Sequence, residues 1–197
     1  MIDKGVLRSP QIIAAFKEMD REYFVPEEMQ AFIYEDRPLP IGKGQTISQP
    51  STVAFMLELL APQRGERVLD IGAGSGWTTA LLCHIVGEEG SVLGLERVDD
   101  LLKRGQKNLE KFHLGMHCRI EQAGEVLGRP SEVFDRILVS ASAETFPTSL
   151  VDQLKLGGVL VIPVQNDIVK ITRISKEQIK KEVYSGFRFV PLIYSEQ

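Results

Sequence analysis

Strand-like apolar runs alternate with helix-spaced apolar stripes along most of this chain. From Pro10 to Met19, Ile12, Ile13, Phe16 and Met19 recur at helical spacing, and the stripe breaks near Val25-Pro26. Asp36 to Gln49 reads as a turn-rich passage holding Pro38, Pro40, Gly42 and Gly44. Pro50 suits the first turn of a helix whose Val53, Met56, Leu57 and Leu60 share one face up to Ala61-Pro62. An apolar strand from Val68 runs into glycines, and Thr78 to Val86 follows as a compact helix stopped by Gly87. Ser91 to Leu95 is a second strand, after which Asp99 can cap a helix bearing Leu101, Leu102, Leu109 and Phe112. Ile120 marks a short strand and Arg136 to Ser140 a stronger one. Pro147 to Leu156 predicts a helix closed by Gly157-Gly158, and Val159 to Val164 a strongly apolar strand. Ile168 to Ile174, Ile179 to Tyr184 and Phe187 to Ile193 predict an antiparallel β addition.

This alternation predicts an α/β fold. A Rossmann-like, doubly wound, mostly parallel sheet would carry helices on both faces and antiparallel C-terminal edge strands. The segment before residue 50 forms an N-terminal helical cap over the carboxyl edge of the sheet, the side where ligands sit in such folds. No repeat, low-complexity tract or linker divides the 197 residues, so a single domain is expected.

Composition narrows the function classes. The formal net charge of −4 provides no basic field to gather nucleic acid, and none is expected as a partner. Cys83 and Cys118 both lie in apolar-periodic segments and read as buried thiols of a reducing compartment rather than a disulfide. Met1-Ile2-Asp3-Lys4 has no signal-peptide core, and no apolar run reaches membrane-spanning length. The expectation is a cytoplasmic protein with no membrane partner.

The densest chemistry lies in Val68-Leu69-Asp70-Ile71-Gly72-Ala73-Gly74-Ser75-Gly76-Trp77. A strand enters an acidic residue and three alternate glycines, then a helix begins at once. Backbone N–H groups of such a loop can close around a ligand, with a helix N-terminus aimed at it. The G-x-G-x-G spacing departs from the dinucleotide fingerprint, whose third glycine comes one residue later. Glu96 ends the next apolar run about twenty residues on, where an acid can take both hydroxyls of a ribose. A nucleoside-bearing cofactor fits these features; a tight turn without a ligand would use the same glycines for packing.

A second constellation is Ile41-Gly42-Lys43-Gly44-Gln45-Thr46-Ile47-Ser48-Gln49-Pro50. Its glycines allow close approach, Thr46 and Ser48 offer hydroxyls, and the helix after Pro50 points free N–H groups back toward them. Neutral donors and a helix dipole would hold a carboxylate well. An ordinary turn in which Ser48 caps the helix is the competing use of the same residues.

Gly44 to Pro50, Val68 to Gly76, Gly158 to Val164 and Arg188-Phe189-Val190-Pro191-Leu192 occur in the order seen in protein-L-isoaspartate O-methyltransferases. Arg21-Glu22-Tyr23-Phe24-Val25-Pro26 and Tyr34 to Gly42 also resemble that family, so the similarity covers nearly the whole chain. The glycine loop alone would indicate only a class I methyltransferase; the Thr-Ile-Ser-Gln-Pro block and the Phe-Val-Pro-Leu tail are more selective. The resemblance implies S-adenosylmethionine as cofactor and isoaspartyl peptides and proteins as substrates, D-aspartyl residues being a second candidate. It implies a repair enzyme, with 1–50 as cap and substrate loop, 51–165 as cofactor-binding core and 166–197 as C-terminal strands; a monomer is expected, though the sequence does not give the oligomeric state.

By the same resemblance Asp70, Gly72, Gly74, Ser75 and Gly76 form the cofactor loop, and Glu96 is the ribose acid. Ser48, with Thr46, holds the reacting carboxylate. Gln49, Val190, Pro191 and Leu192 line the peptide groove, which can pair through its backbone with an extended substrate. Many relatives carry a Gly-Asp-Gly turn near residue 120, its aspartate facing the adenine amino group. Here Glu121-Gln122-Ala123-Gly124 puts Ala123 in that place, so Gln122 is the expected substitute acceptor, with Glu121 the alternative. His84, His113 and His117 show no ligand spacing, and no metal is expected. A methyltransferase of nucleic acid or of another carboxylate, and a cofactor-binding module without turnover, remain as alternatives.

Overall fold

The computed structural model describes Met1 and residues 5–194; the start at Ile2-Asp3-Lys4, expected to lack a signal core, lies outside the described residues. The N-terminal cap consists of α1 (Pro10–Glu18), two short 3₁₀ turns (Arg21–Phe24 and Glu27–Phe32) and a hairpin of β1 (Leu39–Gly42) and β2 (Gln45–Ile47). After α2 (Pro50–Leu60) come β3 (Arg67–Ile71), α3 (Trp77–Val86), β4 (Ser91–Glu96), α4 (Asp99–Glu110), β5 (Cys118–Gln122) and β6 (Phe134–Val139). The chain then forms α5 (Ser149–Asp152), β7 (Leu154–Val164), β8 (Asp167–Arg173) and β9 (Ile179–Ser185).

Seven strands make one sheet in the order β5-β4-β3-β6-β7-β8-β9, parallel from β5 to β7 and antiparallel from β7 to β9. Successive side chains face opposite sides of a strand, and the sheet divides accordingly. Val68, Val92, Leu138 and Val161 pack into the larger core with residues of α1 to α4. Leu69, Leu93, Ile137 and Leu160 face the smaller one, which also holds Leu127, Leu150 and Leu154. Helices therefore cover both faces unequally: among the described residues, the second face has only the four-residue α5 and its flanking loops.

Several expectations change. The turn-rich stretch before Gln49 contains the β1–β2 hairpin, because Gly42, Lys43 and Gly44 take φ of 95°, 54° and 71° while Leu39, Ile41 and Ile47 turn inward. Asp99 is the first helical residue of α4 rather than its cap, which is Val98. The helix expected over Pro147 to Leu156 shrinks to α5, and Gly157-Gly158 lie inside β7. Gln153 stops the helix: its buried amide donates to Leu127 O (3.0 Å) and Ser149 O (3.3 Å) and accepts from Arg129 N (2.7 Å). Leu154 then pairs with Phe134 in the sheet. Phe187 to Ile193 is not an antiparallel strand either. The chain turns at Gly186 (φ 99°), and the tail touches the loop after β6 in a single parallel bridge, Ser142 to Pro191.

The cysteine expectation is overturned. Cys83 in α3 and Cys118 at the start of β5 form a disulfide, with Cα atoms 5.9 Å apart. They lie 35 positions apart in sequence, but the crossover through β4 and α4 returns the chain beneath α3. Among the described residues, no helix is long and apolar enough to cross a membrane, and no cluster of metal-ligating side chains is found.

Candidate active site

The sheet's topological switch lies between β3 and its neighbours: β4 continues to one side and β6 lies on the other, leaving a crevice at their carboxyl ends. The loop leaving β3 lines it. Gly72 N and Ala73 N both donate to Leu95 O (2.9 and 3.1 Å), pinning the loop to β4. Gly72, Ala73, Gly74 and Ser75 line the crevice, and Trp77 and Thr78 continue the wall. Gly76 does not line it. Its φ is 91°, and a Cβ there would stand 3.1 Å from Gly105 O and from Ile120 Cδ1. The third glycine therefore serves the close packing of α4, and Gly105 is its unforeseen counterpart. Asn108 of α4 completes the joint by donating to Ser75 O (2.9 Å).

Glu96 sits at the tip of β4, buried. Its Oε2 accepts from Gly74 N and its Oε1 from Val98 N, each at 2.8 Å. Each carboxylate oxygen has further lone-pair capacity, and the residue lines the crevice. A pair of adjacent hydroxyls is the ligand such an acid can take.

Asp70 is placed differently from the expectation of a direct ligand contact. It has no exposed surface and lies outside the crevice lining; its Oδ2 accepts from Thr78 and Thr79 hydroxyls, both at 2.7 Å. Burial pushes its pKa up to about 6, the neighbouring Glu96 charge adds to this, and the two threonine hydroxyls oppose it. Asp70 fastens the first turn of α3 beneath the glycine loop.

At the end of β5 the expected adenine acceptors turn away. Gln122 Nε2 donates to Arg97 O (2.8 Å), and the side chain is outside the lining. Glu121 binds Arg119 and Arg129, each at 2.7 Å, and these hydrogen bonds hold its carboxyl below the usual range. Ala123, Gly124, Val126 and Leu127 form that wall instead. Ala123 N donates to Glu96 O (2.9 Å), which fixes the wall to β4.

A second, outer hollow adjoins the crevice. Pro38, Gln49, Thr52, Arg188 and Phe189 line it alone, while Thr46, Ser48, Ser140 and Val190 line both. Pro191 and Leu192 face the inner crevice. The tail is held there by Ser142, whose N donates to Val190 O while its O accepts from Leu192 N, both at 2.8 Å.

The capping role for Ser48 is not taken up. Residue Gln49 occupies the cap position of α2 without a side-chain hydrogen bond, and its Nε2 donates to Ser51 Oγ (2.9 Å). Asp36 supplies the cap from a distance, its Oδ1 accepting from Ser51 N at 2.9 Å. Among the described residues the Ser48 hydroxyl has no hydrogen-bond partner, and it is half-buried at the junction of the two hollows.

The inner crevice fits a nucleoside-bearing group on three counts. Its glycine turns leave room for close approach, Glu96 can receive two hydroxyls, and the Ala123–Leu127 wall is apolar enough for a ring. The family model described as Protein-L-isoaspartate(D-aspartate) O-methyltransferase (PCMT) matches residues 1–197. A protein-L-isoaspartate O-methyltransferase of Ignicoccus hospitalis is 37% identical over 201 residues, covering 100% of this chain and 95% of that protein. One from Rhodopseudomonas palustris is 42% identical over 199 residues, covering 98% of this chain and 79% of the relative. A crystal structure of a PCMT from Plasmodium falciparum, in complex with S-adenosyl-L-homocysteine, superposes with TM-score 0.87 at 27% identity. That match covers 98% of this chain and 95% of the Plasmodium one.

Proposed function

The chain belongs to the protein-L-isoaspartate(D-aspartate) O-methyltransferase family, and we propose from that premise that it methylates the carboxylate of L-isoaspartyl residues in damaged proteins. S-adenosylmethionine, when bound, supplies an electrophilic methyl on a positively charged sulfur, whose departure as a thioether needs no help from an acid. Gly72, Gly74, Ser75, Glu96 and Ala123 hold that cofactor. Asp70 and Gly76 act through the loop, the first by fastening α3 and the second by seating α4.

The observation that carries the reading is the set shared by the two hollows: Thr46, Ser48, Ser140 and Val190. A carboxylate entering from the outer hollow meets the inner one there, facing hydroxyl donors whose hydrogens are uncommitted among the described residues. A carboxylate with a pKa near 4 is ionised at neutral pH, so the chain has only to orient it, and no general base is required. Orientation alone can remove roughly 7–11 kcal/mol from such a barrier. Gln49, Val190, Pro191 and Leu192 border the path of the peptide, and the tail's backbone suits an extended chain. The net charge of −4 favours a protein rather than a nucleic-acid substrate; we propose a monomer, while the Cys83–Cys118 bond removes the free-thiol argument for a cytoplasmic setting.

The test is methyl-ester formation on an isoaspartyl peptide against its matched aspartyl peptide, with labelled cofactor. The isoaspartyl peptide is expected to be the far better acceptor. Equal labelling of both, or of neither, overturns the assignment, and salt-sensitive RNA binding with methyl transfer to RNA would replace it.

A further inference from the structure

The geometry points to Arg21 as the positioning residue for Ser48, a buried guanidinium that fixes the substrate loop against the cofactor helix by gripping main-chain carbonyls. Arg21 is only 4% exposed, although an arginine is almost never buried without partners. Its partners here are three carbonyls from three segments of the cap. Nη1 donates to Ile33 O (2.6 Å), and Nη2 donates to Arg37 O and to Ser48 O, both at 3.1 Å. Ser48 thus has its hydroxyl at the junction of the hollows and its carbonyl on Arg21. The planar guanidinium also lies 5.6 Å from the centroid of Trp77, the first residue of α3 and part of the cofactor wall. Trp77 is itself tethered, its Nε1 donating to Met19 O at 2.9 Å.

One side chain therefore spans the element that would present the carboxylate and the element that would present the cofactor. A rigid fork with several donors can do this; an ammonium, a compact point charge, cannot hold three diverging carbonyls in one plane. Burial lowers the Arg21 pKa to about 10, against the pull of Asp36, which leaves it charged at neutral pH.

This inference rests on the reading of Ser48 given above, and the experiment separates the two. Ser48→Ala, Arg21→Lys and the double variant are assayed on an isoaspartyl peptide. Cofactor affinity is titrated by calorimetry, and amide hydrogen exchange is followed at Ile47 to Gln49. Ser48→Ala is expected to lose tenfold or more in kcat while its thermal midpoint moves little; a full rate in that variant defeats the Ser48 reading itself. Arg21→Lys is expected to lose tenfold or more in kcat, to keep cofactor affinity within threefold, and to exchange faster at the loop amides. The double variant should fall no more than threefold below Ser48→Ala, because Arg21 acts through the lost hydroxyl. Multiplying losses, an unchanged rate in Arg21→Lys, or unchanged exchange at the loop overturns the positioning role. Global unfolding of Arg21→Lys, which keeps the charge, also overturns it in favour of a structural role alone.

Discussion

Breaking the Cys83–Cys118 bond should cost the protein a large share of its stability and leave its chemistry intact. The bond closes a loop of 35 residues spanning the end of α3, β4 and α4. Loop-closure entropy for that length amounts to about 3.8 kcal/mol at 25 °C, taken from the unfolded chain. Total stability of a domain is of the order of 5–15 kcal/mol. For a chain of this size each kcal/mol moves the midpoint by about 2–4 °C, so reduction should lower it by about 8–15 °C. Cys118 opens β5 at the end opposite the crevice, which the chain after β5 reaches only from Ala123 onward. Turnover well below the midpoint should therefore stay within twofold. Calorimetric scans with and without a strong reductant, and of the Cys83→Ala/Cys118→Ala double variant, measure both quantities. A midpoint shift under 3 °C in reductant would refute the cross-link argument, and a tenfold loss of turnover at low temperature would refute the separation from the site.

Asp70 has a pKa of about 6 in the fold against 3.8 ordinarily. The unfolded chain thus loses its proton first as pH rises, and stability from this group, complete below about pH 4, is lost through pH 6. The loss approaches about 3 kcal/mol, and Asp70→Asn should flatten the slope of chemical-denaturation stability between pH 4 and 6; an identical slope would refute it. Gln122→Ala should change S-adenosylmethionine affinity less than twofold because its amide is turned to Arg97 O. Ala123→Asp, by contrast, places an acceptor on the wall proposed to meet adenine and should tighten binding; titration calorimetry on both checks this, and weakening by Gln122→Ala would reverse it. Gly76→Ala forces a Cβ to 3.1 Å from Gly105 O at a φ of 91°, so it should destabilise by about 1–3 kcal/mol and weaken cofactor binding. A wild-type denaturation midpoint would count against that packing role.

The parallel core was legible because its strands bury both faces and read as continuous apolar runs, as Ile137 to Val139 and Val159 to Val164 do. The glycine loop was legible for a similar reason, since positive φ at alternate positions demands residues without a Cβ. What escaped were features set by partners distant in sequence. The Leu150–Leu154 spacing is helical, yet Phe134 and the amide of Gln153 draw Leu154 into the sheet. Asp36 caps α2 across fifteen residues, so no local capping motif announced it. The hairpin signal, inward Leu39 and Ile41 with Ile47 opposite, was short and interrupted by Pro40. Glu121 and Gln122 carry the right chemistry for an adenine contact, but strand register sends one to arginines and the other to a carbonyl.

The distribution of charge around Ser48 explains why a buried arginine beside it can serve without spoiling the site. A cation bonded to a carboxylate stabilises the charged form and draws electron density from the oxygens, which weakens them as nucleophiles. Hydroxyl donors, the role proposed for Thr46 and Ser48, would orient the group at far smaller cost to its reactivity. Arg21 lies close enough to bind Ser48 O, yet each of its hydrogen bonds in the described residues goes to a main-chain carbonyl. Its charge is turned toward dipoles of the cap rather than toward the hollow. Arg188, the charged residue of the outer lining, is exposed on the tail at the entrance. A cation there can draw an anionic segment toward the cleft, and salt screens it before it bears on the reacting oxygen. On the proposed reading the two arginines would divide the work between attraction and rigidity, and the carboxylate would be left to neutral donors.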